Sequence, residues 1–497
     1  MKKPGLSKSR LLAFRQCPRR LWLGVNHPEG QSEIGAARMA AGIQVGEVAR
    51  GLYPDGVLIA GEDLGQALRD TQRRLAEERR PLFEATFQAE GVLIRADLLL
   101  PDGNGWRLVE VKSAAGVKEY HLIDAAVQAW VATQTGLALS RVEVAHIDTT
   151  FVYPGDGDYR GLFCHADVSA AVQAREPEVR ALVIAAKALL AGDDPLTPPG
   201  AQCRQPYACP FLPHCQPEIA DADHFPLETL PRGGQVVADL RAKGYSDLRH
   251  VPEAELSNWR HQRVWRVTRD NQPFLDPQVR GVMAGWGWPR YYLDFESIQF
   301  AVPLWVGTRP FMQIPFQWSC HIEDAQGGIR HEAFLAADAT DPRRAFAESL
   351  VACLGTAGPI LVYSAAFEGG RLAELAVAFA DLAPALLAIR ARLVDLLPLA
   401  RAHYYHRDMR GSWSLKSVLP TLAPELSYEN LVVADGGMAM EAFQEMIGAQ
   451  TAEVRRAQLR QALLQYCERD TWAMVKIAHY FQRQRQASAY PAEPDDE

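Results

Sequence analysis

Apolar side chains recur at helical spacing over residues 32–52 and 62–79, which predicts two amphipathic helices. The period then changes. Residues 82–100 and 106–112 are rich in β-branched and aromatic side chains that alternate or run continuously, so strands are expected there. Helical spacing returns over 119–136, before another strand (RVEVAHID) and a long Ala-rich helix that ends at the breaker-rich GDDPLTPPG. Helices, a strand meander and a strand feeding a helix predict a mixed α/β core. Beyond a cysteine group at 203–215 the pattern to about Pro289 is mostly helical, and LRAKGYSDLRHVPEAEL reads as two short helices around a glycine turn. From Tyr291 the pattern restarts, with strands at 291–295, 314–322 and 330–335, a helix, the strand PILVY and further helices to Tyr480. The expected division is therefore an α/β domain at 1–216, a mainly helical linking module at 217–289, a second α/β domain at 290–484, and a disordered tail at 485–497.

Length agrees with more than one core, because 497 residues exceed what a single hydrophobic core serves. Apolar residues at 48% and charged residues at 23% are the balance of a globular protein. No run of about 18 apolar residues exists and the basic N-terminus meets charge before any signal-peptide core, so a cytoplasmic location is expected. The net charge of −8 excludes a globally basic nucleic-acid binder, but the charge is unevenly spread. Lys2, Lys3, Lys8, Arg10, Arg15, Arg19 and Arg20 all precede the first acid, Glu29. Arg241 to Arg269 holds seven Lys or Arg against three acids, with Trp259 and Trp265 interleaved as stacking platforms for bases or, equally, as core residues behind a solvated helix face.

Three charged residues interrupt the first pair of apolar strands: Asp97 in VLIRADLLL, and Glu110 and Lys112 in RLVEVKS. Burying them is costly without partners, and Glu110 and Lys112, two apart on a strand, share one face. A divalent ion held by Asp97 and Glu110, with Lys112 beside an attacking water, would meet that cost. An ordinary salt bridge on a half-exposed hairpin is the bland alternative. The D-x12-E-x-K arrangement resembles PD-(D/E)XK nucleases, with Asp124 and Gln128 at i, i+4 on the next helix where RecB-type members place a glutamine, and Glu84 on the preceding strand. The resemblance covers roughly residues 6–216 and implies a restriction-endonuclease-like fold. Two departures stand out. The Gly-x3-His of RecB-type enzymes reads Gly42-Ile43-Gln44-Val45-Gly46 here, with Glu47 as the available substitute, and the usual tyrosine after the glutamine is Ala132.

Cys203, Cys209 and Cys215 are spaced C-x5-C-x5-C, and Cys17 near the N-terminus makes four thiols. Four thiolates suit a cubane cluster; zinc is the alternative, although its sites usually carry closer pairs, and plain burial is a third. One remote N-terminal cysteine with three after the core is similar to iron–sulfur RecB-family nucleases, including those of CRISPR adaptation and the AddB type. That resemblance implies a [4Fe–4S] cluster that staples the two ends of the domain. Cys164, Cys320, Cys353 and Cys467 fall in predicted elements and read as core residues.

In YYLDFES, Asp294 and Glu296 share a strand face; VYSAAFEGG delivers Glu368 after a strand; QYCERD sets Tyr466 and Asp470 on one helix face. Acids at strand and helix ends are the bland reading. In that order the three groups resemble DEDD exonucleases of the RNase H-like superfamily. The resemblance implies Asp294, Glu296, Glu368 and Asp470 as ligands of Mg²⁺ or Mn²⁺, Tyr466 as the residue that orients water, and 3′ to 5′ polarity. The third position is usually Asp, and Asp395 is the fallback for Glu368. Lys416, in GSWSLKSVLP, is expected to be a surface lysine, with phosphate contact as the alternative. The chain as a whole is similar to an uncharacterised bacterial family in which an iron–sulfur RecB-like nuclease precedes an RNase H-like domain. It implies a two-site DNA nuclease; an RNA exonuclease and a non-catalytic nucleic-acid scaffold are the rivals.

Overall fold

A computed structural model of the chain describes residues 5–30, 36–59, 61, 63–77, 79–215, 224–428 and 430–483. The expected disordered tail lies outside them. The protein is mixed α/β and forms two compact units, one of Met1–Ala220 with Phe300–Met312, the other of Asp221–Gln299 with Gln313–Glu497. Among the described residues no helix is long and apolar enough to cross a membrane.

The first unit is built on a seven-stranded sheet. Leu82–Ala89, Val92–Asp102 and Gly105–Lys112 form an antiparallel meander, turned between the first two at Glu90 and Gly91, both with positive φ. Helix Glu119–Gln134 then crosses over, so that Leu139–Ile147 lies parallel to Gly105–Lys112. Every residue of that helix from Ile123 to Ala132 is buried, as an Ala- and Val-rich helix without a polar face must be. Asp124 and Gln128 therefore lie inside the unit. Phe163–Asp167, antiparallel to Leu139–Ile147, and two short parallel strands, Leu6–Ser7 and Val57–Leu58, complete the pairing. The segment Phe300–Met312, expected in the second domain, belongs here: Val302 packs with Val45, Ile147 and Leu162, and Tyr153 exchanges backbone hydrogen bonds with Gly307 and Thr308.

The second unit has a five-stranded sheet ordered Ile329–Leu335, Ile314–Glu323, Arg290–Ile298, Ile360–Val362, Leu393–Asp395. The first three strands are antiparallel and the last two run parallel to Arg290–Ile298, the central strand. The long helix Glu453–Arg483 covers Arg290–Ile298 and Ile314–Glu323. Residues expected to form a separate linking module are instead part of this unit's core. Phe225, Leu248, Trp265, Phe274 and Met283 are buried together with Tyr292, Leu361, Tyr404 and Phe481.

Candidate functional site

In the first unit the antiparallel register would set Asp97 between Glu84 and Glu110, and the ladder is broken on both sides of it. Pairing skips from Phe83↔Leu98 to Ala85↔Ala96, where Glu84 takes a left-handed φ of 55°, and on the other side it stops at Leu98↔Val109. The freed Val111 N–H donates to Asp97 Oδ2 at 2.7 Å. Glu110 is buried; Lys112 Nζ donates to its Oε1 at 2.5 Å and to Asp124 Oδ2 at 2.5 Å, and Gln128 donates to Glu110 Oε2. Asp97, Glu110, Lys112, Asp124 and Gln128 are thus brought together. Glu47 stays exposed on its helix, and Glu84 turns to Arg50 at 3.4 Å.

One member of this cluster has no signal in the local sequence pattern. Lys8, placed by the helix Lys8–Gln16 that Ser7 caps, puts its Nζ 2.9 Å from Glu110 Oε1 and 3.1 Å from Asp124 Oδ1. Burial would raise the Glu110 carboxyl, but Lys112 and Lys8 hold it well below the usual range. Asp97, half-buried and facing Glu110, is pushed up to about 8 by loss of solvent and by the Glu110 charge. Two ammonium groups therefore balance most of the charge of three carboxylates.

Cys17, Cys203 and Cys209 are buried and Cys215 half-buried. They converge closely enough that the other three thiols act on the charge of Cys215. Gln16 ties the N-terminal helix to the loop through the carbonyls of Gln202 (2.7 Å) and Tyr207 (2.8 Å), and the Gly200 N–H donates to Cys203 Sγ at 3.5 Å. Arg19, anchored on Asp194, and Arg20 bring positive charge beside the sulfurs. Among the described residues no three of these sulfurs lie within 4.8 Å of one another. A single tetrahedral zinc, with bonds of about 2.3 Å, needs sulfurs roughly 3.8 Å apart.

The second unit assembles its acids from three elements. Asp294 and Glu296 project from the central strand, where a bulge between Pro315 and Gln317 of the neighbour shifts the register at Glu296. Glu368 sits in the first turn of the helix Ala365–Ala378, and Asp470 on Glu453–Arg483. Glu296, Glu368 and Asp470 are buried. None of the four forms an ion pair with a basic side chain among the described residues, and Glu368 Oε2, on a residue 2% exposed, has no hydrogen-bond partner. Burial and the mutual repulsion of these groups push Asp294 well above the carboxylate range, and push Glu296 up to about 8. Burial, helped by the charge of Asp395, takes Glu368 up to about 8, and burial is the main cause that takes Asp470 to about 6. Such a donor set fits a divalent cation: hard, buried oxygens with charge to neutralise and an orphaned acceptor among them.

Tyr466 lies one turn before Asp470, and Tyr428, which the sequence reading missed, donates to Asp470 Oδ1 at 2.5 Å. Lys416 is not an ordinary surface lysine. Its Nζ lies 5.2 Å from the ring centre of Tyr466 and 5.6 Å from that of Tyr428, and its charge acts on both Glu296 and Asp470. Cys467, expected as plain core, holds its Sγ 3.5 Å from Asp294 Oδ2. Cys320 and Cys353 likewise have a partner, in each other. Asp395, the fallback ligand, is occupied: it accepts the N–H groups of Ser364, Ala365 and Leu397 at 2.8–3.0 Å, a helix-capping role. A cavity of about 1050 Å³ opens on Asp294, Tyr466 and Asp470 and is also lined by Arg232, Arg260, Arg263, Arg401 and Lys416. Trp265 is no stacking platform; it is buried with its Nε1 donating to Val251 O.

Residues 291–414, which carry Asp294, Glu296 and Glu368, match a family described as a domain of unknown function (DUF2779). The chain is similar to the "Uncharacterized protein MG366 homolog" of Mycoplasma pneumoniae (strain ATCC 29342 / M129 / Subtype 1), 28% identical over 208 residues that cover 38% of this chain and 31% of that protein. It is also similar to "Uncharacterized protein UU173" of Ureaplasma parvum serovar 3, 22% identical over 259 residues, 46% of this chain and 36% of the relative. The chain thus spans about a third of the length of the curated relatives it matches.

Proposed function

We propose that the chain is a metal-dependent nuclease that hydrolyses phosphodiester bonds of DNA, with Mg²⁺ or Mn²⁺ at the second unit's acidic centre and 3′ to 5′ polarity there. The observation that carries the reading is the convergence of Asp294, Glu296, Glu368 and Asp470 from three elements with no direct ion pair to a basic side chain among the described residues. A fold keeps such a repulsive cluster at a cost in stability, which a bound cation offsets. The cation, when bound, lowers the pKa of a water and neutralises the oxygen that leaves. The protein's own groups do the rest. Tyr466 orients the attacking water beside Asp470, Tyr428 fixes the Asp470 carboxylate, and Lys416 with the arginines of the cavity holds the phosphate backbone in place.

In the same reading Cys17, Cys203, Cys209 and Cys215 hold a [4Fe–4S] cluster, supported by the gathering of four thiols and by Arg19 and Arg20 beside them. Its role is to tie the N-terminal helix to the loop after the core. The first unit's centre, a PD-(D/E)XK-like cluster of Asp97, Glu110, Lys112 and Gln128, is a second nuclease site that uses the same cations. Lys8 favours a second reading of this unit. Its ammonium brings charge to Glu110 and Asp124 that a cation would otherwise bring, which suits a centre that binds nucleic acid without cutting it.

Matched end-labelled DNA and RNA oligonucleotides, incubated anaerobically with Mg²⁺ or Mn²⁺, test the proposal. Shortening of DNA from its 3′ end that stops in Asp470→Asn is the expected result. Degradation of RNA alone moves the assignment to an RNA exonuclease, and binding without degradation of either polymer leaves a scaffold.

A further inference from the structure

The helix Glu453–Arg483 presents more than Tyr466 and Asp470 to the central strand. Cys467 lies three residues before Asp470, on the same helix face, and is fully buried. Its Sγ is 3.5 Å from Asp294 Oδ2 and 3.8 Å from the Asp294 carbonyl oxygen. One ligand atom each from Asp294, Glu296 and Cys467 lie within 4.8 Å of one another, and this is the one group of three or more such donors that close among the described residues. A second feature points to a ligand independently. Glu368, 2% exposed, has an unpartnered Oε2, and its charge acts on both Asp294 and Glu296.

Sulfur changes what such a site prefers. Carboxylate oxygens alone suit Mg²⁺ and Mn²⁺, whereas a thiolate is a soft donor that Mg²⁺ accepts poorly and Zn²⁺ and Cd²⁺ accept well. We propose that Cys467 is a ligand of the second unit's metal site and sets its cation selectivity, so that Zn²⁺ binds there more tightly than Mg²⁺ through an S–metal bond. On binding, the thiol gives its proton to solvent and the sulfur lone pair goes to the metal, with no change of oxidation state. Zinc would then occupy the centre in competition with the activating cation. The inference rests on the metal-binding part of the proposed function and not on hydrolysis.

Cadmium titration of the full chain, with its other cysteines unchanged, tests this without any turnover. The thiolate-to-cadmium charge-transfer absorption of wild type, Cys467→Ser and Asp294→Asn is compared, and the chain's remaining thiols cancel in the difference spectra. Wild type minus Cys467→Ser should show a saturable band, Asp294→Asn should weaken that band, and Zn²⁺ affinity at this site should fall about tenfold or more in Cys467→Ser. Identical cadmium spectra for wild type and Cys467→Ser overturn the proposal. Cys467→Ala serves as the second variant should the buried serine hydroxyl prevent folding, with the same expected loss. If the bands appear and no nucleic acid is cut, the metal assignment stands and the nuclease reading fails.

Discussion

Replacing Glu296 with glutamine should stabilise the metal-free protein and remove its activity. Burial and the charge of Asp470 push this carboxyl up to about 8, against about 4.3 in an unfolded chain. A carboxyl raised on folding keeps its proton longer in the native state, so its contribution is fully present below the unfolded value and is lost as pH rises towards 8. At about 1.4 kcal/mol per pH unit, the loss between pH 4.3 and pH 7 reaches about 4 kcal/mol. Asp294, Glu368 and Asp470 share the repulsion, so replacing this one carboxyl should recover about half, or about 2 kcal/mol, a rise in Tm of roughly 4–8 °C. Calorimetry of both proteins in chelator between pH 5 and pH 8 should show curves that meet at the acid end and diverge as pH rises. Added Mn²⁺ should reverse the order, because an ion at about 100 times its Kd stabilises wild type by about 2.7 kcal/mol. Equal Tm values across the range in chelator, or a wild type that is the more stable at pH 8, would show that burying this carboxyl carries no such cost.

Three further outcomes follow from the geometry. Lys8→Met leaves Glu110 and Asp124 with Lys112 alone and should destabilise the first unit by about 2–3 kcal/mol in urea denaturation; a change under about 0.5 kcal/mol would mean the ion pairs carry little of that unit's stability. Asp395→Ala removes the acceptor of three backbone N–H groups and should cost about 2 kcal/mol while Mn²⁺ affinity stays as in wild type, and a lost metal site would make Asp395 a ligand after all. Anaerobically purified protein should carry about four irons with matching acid-labile sulfide, both reduced in Cys209→Ser together with the stability of the first unit; zinc in place of iron contradicts the cluster assignment.

Local periodicity made most elements legible. The helix expected at 119–136 is Glu119–Gln134, and the strands expected at 314–322 and 330–335 are Ile314–Glu323 and Ile329–Leu335. Acids set two or four residues apart were equally readable, since a strand or a helix turn by itself puts Asp294 beside Glu296 and Tyr466 beside Asp470. Contacts set by tertiary packing were not. Lys8 meets Glu110 across 102 residues of sequence, and Tyr428 meets Asp470 across 42. Nothing in either local pattern marks them. Cys467 could have been found, because its i, i+3 relation to Asp470 places it on the helix face that carries the acid. Phe300–Met312 left its expected domain because its apolar residues, Val302 among them, are satisfied by Val45 and Ile147, a pairing no period reveals.

The central claim is that the second unit's carboxylates cut nucleic acid with a divalent cation. Its most direct test is anaerobic digestion of 5′-labelled duplex and single-stranded DNA in Mn²⁺ by wild type, Asp97→Ala and Asp294→Ala. Stepwise shortening from the 3′ end is expected of wild type and of Asp97→Ala, abolished in chelator and in Asp294→Ala. Undiminished 3′ shortening by a folded Asp294→Ala would contradict it.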